Sequence, residues 1–231
     1  MKAIILAAGK GERLGVVTKK LPKPMIEIHG KPVLEHNLNM CRNAGIEDIC
    51  INLHHLPYKI RDYFGDGSKY GLNITYNHET QLLGTAGALL PFHEILNEEP
   101  FFVIYGDNYM NFDLLDVKSY NDKKKADITV LFHWQNNISS GGIASFDKQD
   151  RVNKFIEKPS SYPKKGDWVN AGIYYIEKGD IFEYINPFDD FGFNVFPRLL
   201  ENNYNIYGLK SNKNLIAIDT PELLLRNFKT N

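Results

Sequence analysis

The chain has 231 residues, 43% of them hydrophobic, and 27 basic against 28 acidic side chains give it a formal net charge of −1. That length is ample for a sizeable core in one domain, or one domain with an insertion, and the near-neutral balance excludes the global basic field expected of a nucleic-acid binder. Only two cysteines, Cys41 and Cys50, no apolar run approaching ~18 residues and a start directly in a core strand point to reduced, buried thiols and a cytoplasmic protein without a membrane partner.

Lys2-Ala3-Ile4-Ile5-Leu6 is a short apolar run that reads as a buried strand, and the small-residue loop Ala7-Ala8-Gly9-Lys10-Gly11-Glu12-Arg13 follows at once. By itself a glycine pair after a strand is a turn. Here the loop lets backbone N–H groups converge on an anion, Arg13 adds a planar permanent cation, and Lys23 adds another on a segment stiffened by Pro22 and Pro24. Together they read as a polyphosphate site. It is neither a P-loop, which ends Gly-Lys-Ser/Thr, nor the dinucleotide G-x-G-x-x-G. Apolar positions 34, 38, 41 and 44 recur at helical spacing between Pro32 and Gly45, and 46–53 reads as the next strand, so the chain opens as a βαβ unit with ligands expected at strand carboxyl ends. His54 and His55 lack matching carboxylates or thiols and read as loop groups rather than metal ligands.

Residues 58–64 read as a short helix stopped by Gly65-Asp66-Gly67-Ser68, and 71–76 as a strand. The small residues of 79–88 read as the opening of a helix whose N-terminus favours anions, with Thr85 offering a hydroxyl; alone, the stretch is a tight helix start. In Pro100-Phe101-Phe102-Val103-Ile104-Tyr105-Gly106-Asp107 an apolar strand delivers a carboxylate at its carboxyl end. Mg²⁺ facing a triphosphate needs such a group, and a turn or helix cap is the alternative role for Asp107. Strands are expected at 126–132, 141–146, 151–159, 169–176 and 206–209, and helical segments at 181–185 and 188–200. Asn170 offers both a donor and an acceptor from its amide, and Gly172 beside it leaves open space. Asp219 before Thr220-Pro221 is a good helix cap.

Gly9-x-Gly11-x-Arg13-Leu14 followed by Pro22-Lys23-Pro24-Met25 resembles the signature of the sugar-1-phosphate nucleotidylyltransferases. Leu83-Gly84-Thr85, Gly106-Asp107, Phe155-Ile156-Glu157-Lys158-Pro159 and 169–176 extend the likeness over nearly the whole chain. The resemblance implies an α/β fold: a Rossmann-like three-layer αβα arrangement around a central mixed, mostly parallel sheet. It implies one nucleotidylyltransferase domain, with a nucleotide-binding half over about 1–110 and a sugar-phosphate-binding half over 111–231. The implied reaction is Mg²⁺-dependent transfer of a nucleotidyl group from an NTP to a sugar-1-phosphate, releasing pyrophosphate without a covalent intermediate. Leu6, Ala7, Ala8, Gly9 and Gly11 would line the nucleotide, Glu79, Gly84 and Thr85 would border the base, and Arg13 and Lys23 would be the catalytic cations. Gly142, Glu157, Lys158, Asn170 and Gly172 would take the sugar phosphate, and Asp107 and Asp219 the metal.

Two departures matter. Family members of sugar type often read Asp-x-Gly-Thr-Pro, whereas this chain has Ala217 and Asp219 at the first and third of those positions. Glu79, five residues before Gly84, is acceptor-only and suits the N–H donors of guanine. With Phe196-Pro197-Arg198-Leu199-Leu200 it implies GTP and a mannose- or heptose-1-phosphate. UTP, dTTP or CTP remain open through Tyr105-Gly106-Asp107-Asn108 and Asp219-Thr220-Pro221, as does a binding module without turnover. Trp134, Phe188 and Phe191, read as surface aromatics, suit a homodimer.

Overall fold

Ala3, Ile4 and Ile5 have no solvent exposure, and burial of such a run on both faces is what makes the opening segment a strand inside a sheet. The computed structural model of the chain describes residues 1–136, 138, 141–159, 166–177 and 179–218. The strands are β1 (Lys2–Leu6), β2 (Glu27–Ile28), β3 (Lys31–Pro32), β4 (Asp48–Leu53), β5 (Asn73–His78), β6 (Phe101–Tyr105), β7 (Asn108–Met110), β8 (Ile128–Gln135), β9 (Gly142–Phe146), β10 (Val152–Glu157), β11 (Asp167–Ile176), β12 (Ile206–Ser211) and β13 (Leu215–Ala217). The α-helices are α1 (Val33–Asn43), α2 (Pro57–Phe64), α3 (His93–Leu96), α4 (Leu114–Lys124) and α5 (Phe196–Glu201). Two compact units divide the chain: Met1–Leu82 with Ile104–Asp113 and the described residues from Asn214, and Leu83–Val103 with Leu114–Lys213.

In the first unit β1, β4 and β5 run parallel, with Leu6 opposite Asn52 and Leu53 opposite His78. The end of β6 adjoins β1: the Gly106 N–H donates to Leu6 O at 2.9 Å, and a Cβ on Gly106 would stand 2.8 Å from that oxygen, so only glycine fits. Helix α1 buries Leu34, Leu38 and Cys41 at the spacing read from the sequence and stops at Gly45, φ +73°. Cys41 and Cys50 are free and buried, as expected, and burial pushes both thiols up to about 12. β7 pairs antiparallel with β13, and Leu14, Ile26, Ile28, Val33 and Ile218 form a core beside Tyr109.

In the second unit β8 lies between antiparallel β11 and parallel β12, and β9 pairs with β10 in the expected hairpin. Phe132, Tyr174, Phe191 and Phe196 are buried there, and the last three meet edge to face or tilted. This mixed sheet with flanking helices is the expected α/β architecture.

Local differences have local causes. Residues 87–92 form a 3₁₀ helix with Pro91 inside it, so the expected anion-favouring α-helix start is absent. Residues 179–184, expected as a helix from 181, are also 3₁₀. The region expected to be helical from 188 is a π-helix over 191–195 followed by α5. Phe191 is fully buried and is not a surface aromatic; Trp134 and Phe188 are exposed. Among the described residues no helix is long and apolar enough to cross a membrane.

Candidate active site

In the first unit the loop after β1 is held by side chains rather than by regular structure. Asn52, buried at the end of β4, accepts the Ala7 N–H on Oδ1 at 2.8 Å and donates through Nδ2 to Glu79 Oε1 at 2.7 Å. Glu79 is itself buried, and its N–H extends the sheet by donating to Leu53 O at 2.7 Å. The residue expected at the base is thereby linked through one amide to the loop expected at the phosphates. His54 donates from Nδ1 to Glu79 O, and His55 from Nε2 to Thr18 O, so both histidines fix loops.

Gly9 and Gly11 differ in kind. Gly11 has φ +63°, and a Cβ there would stand 2.8 Å from Thr18 Cγ2 and 3.3 Å from Lys23 Cβ. The buried Thr18 hydroxyl donates to Gly11 O at 3.0 Å, closing the loop on itself. At Gly9 a Cβ would meet nothing within 4 Å, and the backbone φ is not left-handed, so the protein itself does not require glycine there. Arg13 follows on an exposed 3₁₀ turn.

Lys23, almost wholly buried, makes an ion pair with Asp107 at the carboxyl end of β6. The Asp107 backbone O also accepts the Ile218 N–H at 3.2 Å. Asp219 lies outside the described residues. Among the described residues no group of three or more His, Cys, Asp or Glu could hold a metal. A magnesium ion, which takes one or two protein carboxylates and fills its octahedron with water and phosphate oxygen, still fits the partly exposed Asp107 carboxylate.

In the second unit Gly142 stands opposite Glu157 across β9 and β10. A Cβ on Gly142 would stand 2.5 Å from Glu157 Oε2, so the glycine seats that carboxylate. Burial raises the Glu157 pKa; Lys158 partly offsets this, and Asp190 adds to it. Lys158 adopts left-handed φ (+45°) and places Nζ 5.6 Å from the Phe193 ring centroid. Asn170 accepts the Gly172 N–H on Oδ1 at 2.9 Å and donates to the Tyr174 hydroxyl at 2.6 Å, building the bulge in β11 in which Gly172 has φ +71°. Thr85 is equally engaged: its N–H and hydroxyl donate to Asp190 Oδ1 at 2.9 and 3.0 Å, and its Oγ1 accepts the Phe191 N–H at 3.0 Å. Gly84, φ +80°, packs so closely on Asp189 that a Cβ would overlap the Asp189 carbonyl.

Asn52, Asp190 and Gly192 are absent from the sequence-derived set. A polar residue inside the apolar run of β4 was the available sign for Asn52, since a buried amide must be satisfied. For Asp190 and Gly192 the partners are remote in sequence, and no local sign exists.

A glycine loop after the first strand, a strand-end carboxylate and a mixed sheet with flanking helices match the nucleotide-sugar transferase class of α/β fold. The family model described as Nucleotidyl transferase matches residues 2–215, and the chain belongs to that family, in its sugar-1-phosphate nucleotidylyltransferase branch. It is 34% identical over 224 residues to a UTP–glucose-1-phosphate uridylyltransferase of Synechocystis sp., covering 90% of this chain and 58% of that one. It is 32% identical over 227 residues to a mannose-1-phosphate guanylyltransferase of Mycobacterium tuberculosis, covering 97% and 62%. Others at similar identity are named for adenylyl and thymidylyl transfer. The chain thus spans between 49% and 62% of the length of these relatives. The crystal structure of HddC from Yersinia pseudotuberculosis shares the fold, with a TM-score of 0.82 at 24% identity over 100% of this chain and 99% of that one.

Proposed function

We propose that the chain transfers a nucleotidyl group from an NTP, with GTP the first choice, to a mannose- or heptose-type sugar-1-phosphate, giving an NDP-sugar for glycan synthesis in the cytoplasm. The observation that carries this reading is Gly9. The protein itself leaves that glycine unexplained, whereas a phosphate approaching the backbone would require it. A sugar-phosphate oxygen attacks the α-phosphorus, a new P–O bond forms, and the bond to the β-phosphate oxygen breaks to release pyrophosphate. Arg13 neutralises the leaving pyrophosphate, and Lys23 holds the reacting phosphates. Lys158 orients the nucleophilic phosphate, and Glu157 accepts from sugar hydroxyls. Asp107, with Asp219 as its partner, would hold Mg²⁺, which supplies charge neutralisation on the phosphates when bound.

The guanine assignment rests on Glu79 as an acceptor and on the guanylyltransferase relatives; it requires Glu79 to accept from a base while also accepting from Asn52. A uridylyl donor is the second reading, favoured by the relative at 34% identity. A homodimer through exposed Trp134 and Phe188 belongs to the same proposal. Pyrophosphate release with Mg²⁺, over GTP, UTP, dTTP, CTP and ATP against mannose-, heptose- and glucose-1-phosphates, tests it. Release confined to GTP and a manno-configured sugar is expected. Release with another base retains the mechanism and removes the guanine argument, and silence across the grid with nucleotide binding intact moves the chain to the binding-module class.

A further inference from the structure

Residues 191–195 wind as a π-helix, a rare form frequently found at functional sites. Two of its consecutive residues meet two consecutive residues of the strand end that the proposed function assigns to the sugar phosphate. Gly192 lies so close to Glu157 that a Cβ there would overlap Oε2, the same oxygen that Gly142 accommodates from the opposite strand. Phe193, about half exposed, carries Lys158 Nζ over its ring at 5.6 Å. Lys158 holds a left-handed backbone (φ +45°), a conformation that is strained for a non-glycine residue.

The π-helix is fastened at its first turn. Asp190 takes both Thr85 donors, and its N–H donates to Asn194 Oδ1 at 2.9 Å. Thr85 Oγ1 accepts the Phe191 N–H, and Phe191 is buried with its ring 5.0 Å from Tyr174 and 5.4 Å from Phe196. Residues 190 and 191 are thereby fixed, and 192 and 193 are presented to Glu157 and Lys158 from that anchor. An α-helical turn would place one residue fewer over the same stretch and rotate the following side chains by about 100° per residue.

We propose that the π-helix Phe191–Val195 is the positioning element for the sugar-phosphate pair. In this role Gly192 sets the seat of the Glu157 carboxylate, Phe193 sets the rest position of the Lys158 ammonium, and the Thr85–Asp190 ring holds the helix in register. The inference rests on the reading of Glu157 and Lys158 as sugar-1-phosphate ligands. It makes Gly192, Phe193 and Asp190 positioning residues for the sugar side of the reaction.

The test is mannose-1-phosphate binding by calorimetry, with steady-state KM for each substrate, in G192A, F193L, F193Y, D190N, E157Q and K158M. G192A is expected to weaken mannose-1-phosphate at least tenfold with KM for NTP changed less than twofold. F193L is expected to weaken it several-fold, and F193Y, which keeps the ring, to restore it. D190N retains an oxygen acceptor for Thr85 but removes a charge that raises the Glu157 pKa, so the acidic limb of kcat/KM for the sugar should move to lower pH. If G192A fails to fold, exposed Phe193 decides. Normal sugar binding in F193L and a soluble G192A, alongside its loss in E157Q and K158M, overturns the proposal and leaves the functional reading intact. Normal binding in E157Q and K158M, or none in the wild-type protein, overturns that reading and the proposal with it.

Discussion

Replacing Asn52 tests whether one buried amide holds the loop after β1 in place. In N52L the Ala7 N–H loses its acceptor and Glu79 Oε1 loses a donor at 2.7 Å, both at buried positions. A buried group deprived of its partner costs about 1–3 kcal/mol, more when it is charged, so the variant should lose about 3–5 kcal/mol of stability. N52D is the sharper probe. It keeps an acceptor for Ala7 but sets a second carboxylate beside Glu79, and like charges roughly 4 Å apart repel by about 4 kcal/mol at an effective dielectric near 20. Proton uptake relieves that repulsion. The folded variant therefore binds more protons than its unfolded chain above about pH 4, and its stability relative to wild type should fall as pH rises from there toward 7. Urea unfolding at pH 4.5 and 7.5, with KM for NTP on each variant, measures both effects. A loss below about 1 kcal/mol in N52L, or a pH-independent penalty in N52D, would refute the linkage of Ala7, Asn52 and Glu79.

The two loop glycines should separate stability from binding. G11A forces a side chain into a left-handed site against Thr18 and should cost about 2–4 kcal/mol, whereas G9A should leave the unfolding free energy within about 0.5 kcal/mol of wild type and raise KM for NTP roughly tenfold, a prediction that an unchanged KM refutes. His133 is buried and accepts the Gln135 Nε2 donor on its own Nε2 at 3.1 Å, and burial lowers its pKa from 6.5 to about 4. The folded chain therefore binds fewer protons than the unfolded chain between those values. Stability from this group is complete above pH 6.5 and falls by up to about 3 kcal/mol as pH drops to 4; H133Q should flatten that slope in urea midpoints taken over the same range.

What the sequence made legible was what depends on neighbours along the chain. β1 is a run of buried apolar residues, Gly45 stops α1 by a left-handed turn, and Asp107 follows β6 because an apolar run gives way to glycine and aspartate. The illegible parts depend on register. Asn52 acts because Leu6 pairs with it across β1 and β4, which no periodicity within 46–53 announces. The π-helix follows a period other than 3.6, and its fastening joins Thr85 to Asp190, which lie 105 residues apart. The same remoteness gave Thr85 its partner inside the protein, whereas Asn170 finds its partners two and four residues on, in the bulge of its own strand, which an alternating strand pattern does not announce.

The glycines sort these two kinds of information. Gly11, Gly84, Gly106, Gly142 and Gly192 each have an internal reason to lack a side chain, since an added Cβ would strike Thr18, Asp189, Leu6 or Glu157. They shape the loops and seat one carboxylate. Gly9 has no such reason, and its loop is already fixed by the Thr18 and Asn52 hydrogen bonds on either side of it. A loop held rigid by polar side chains, with one open glycine between the fastenings, is preorganised for a ligand that must come against the backbone. If the proposed function holds, the fastenings contribute to affinity without touching substrate. Substitutions at Thr18 or Asn52 should resemble active-site lesions for that reason, while their chemistry remains that of a buried hydrogen bond.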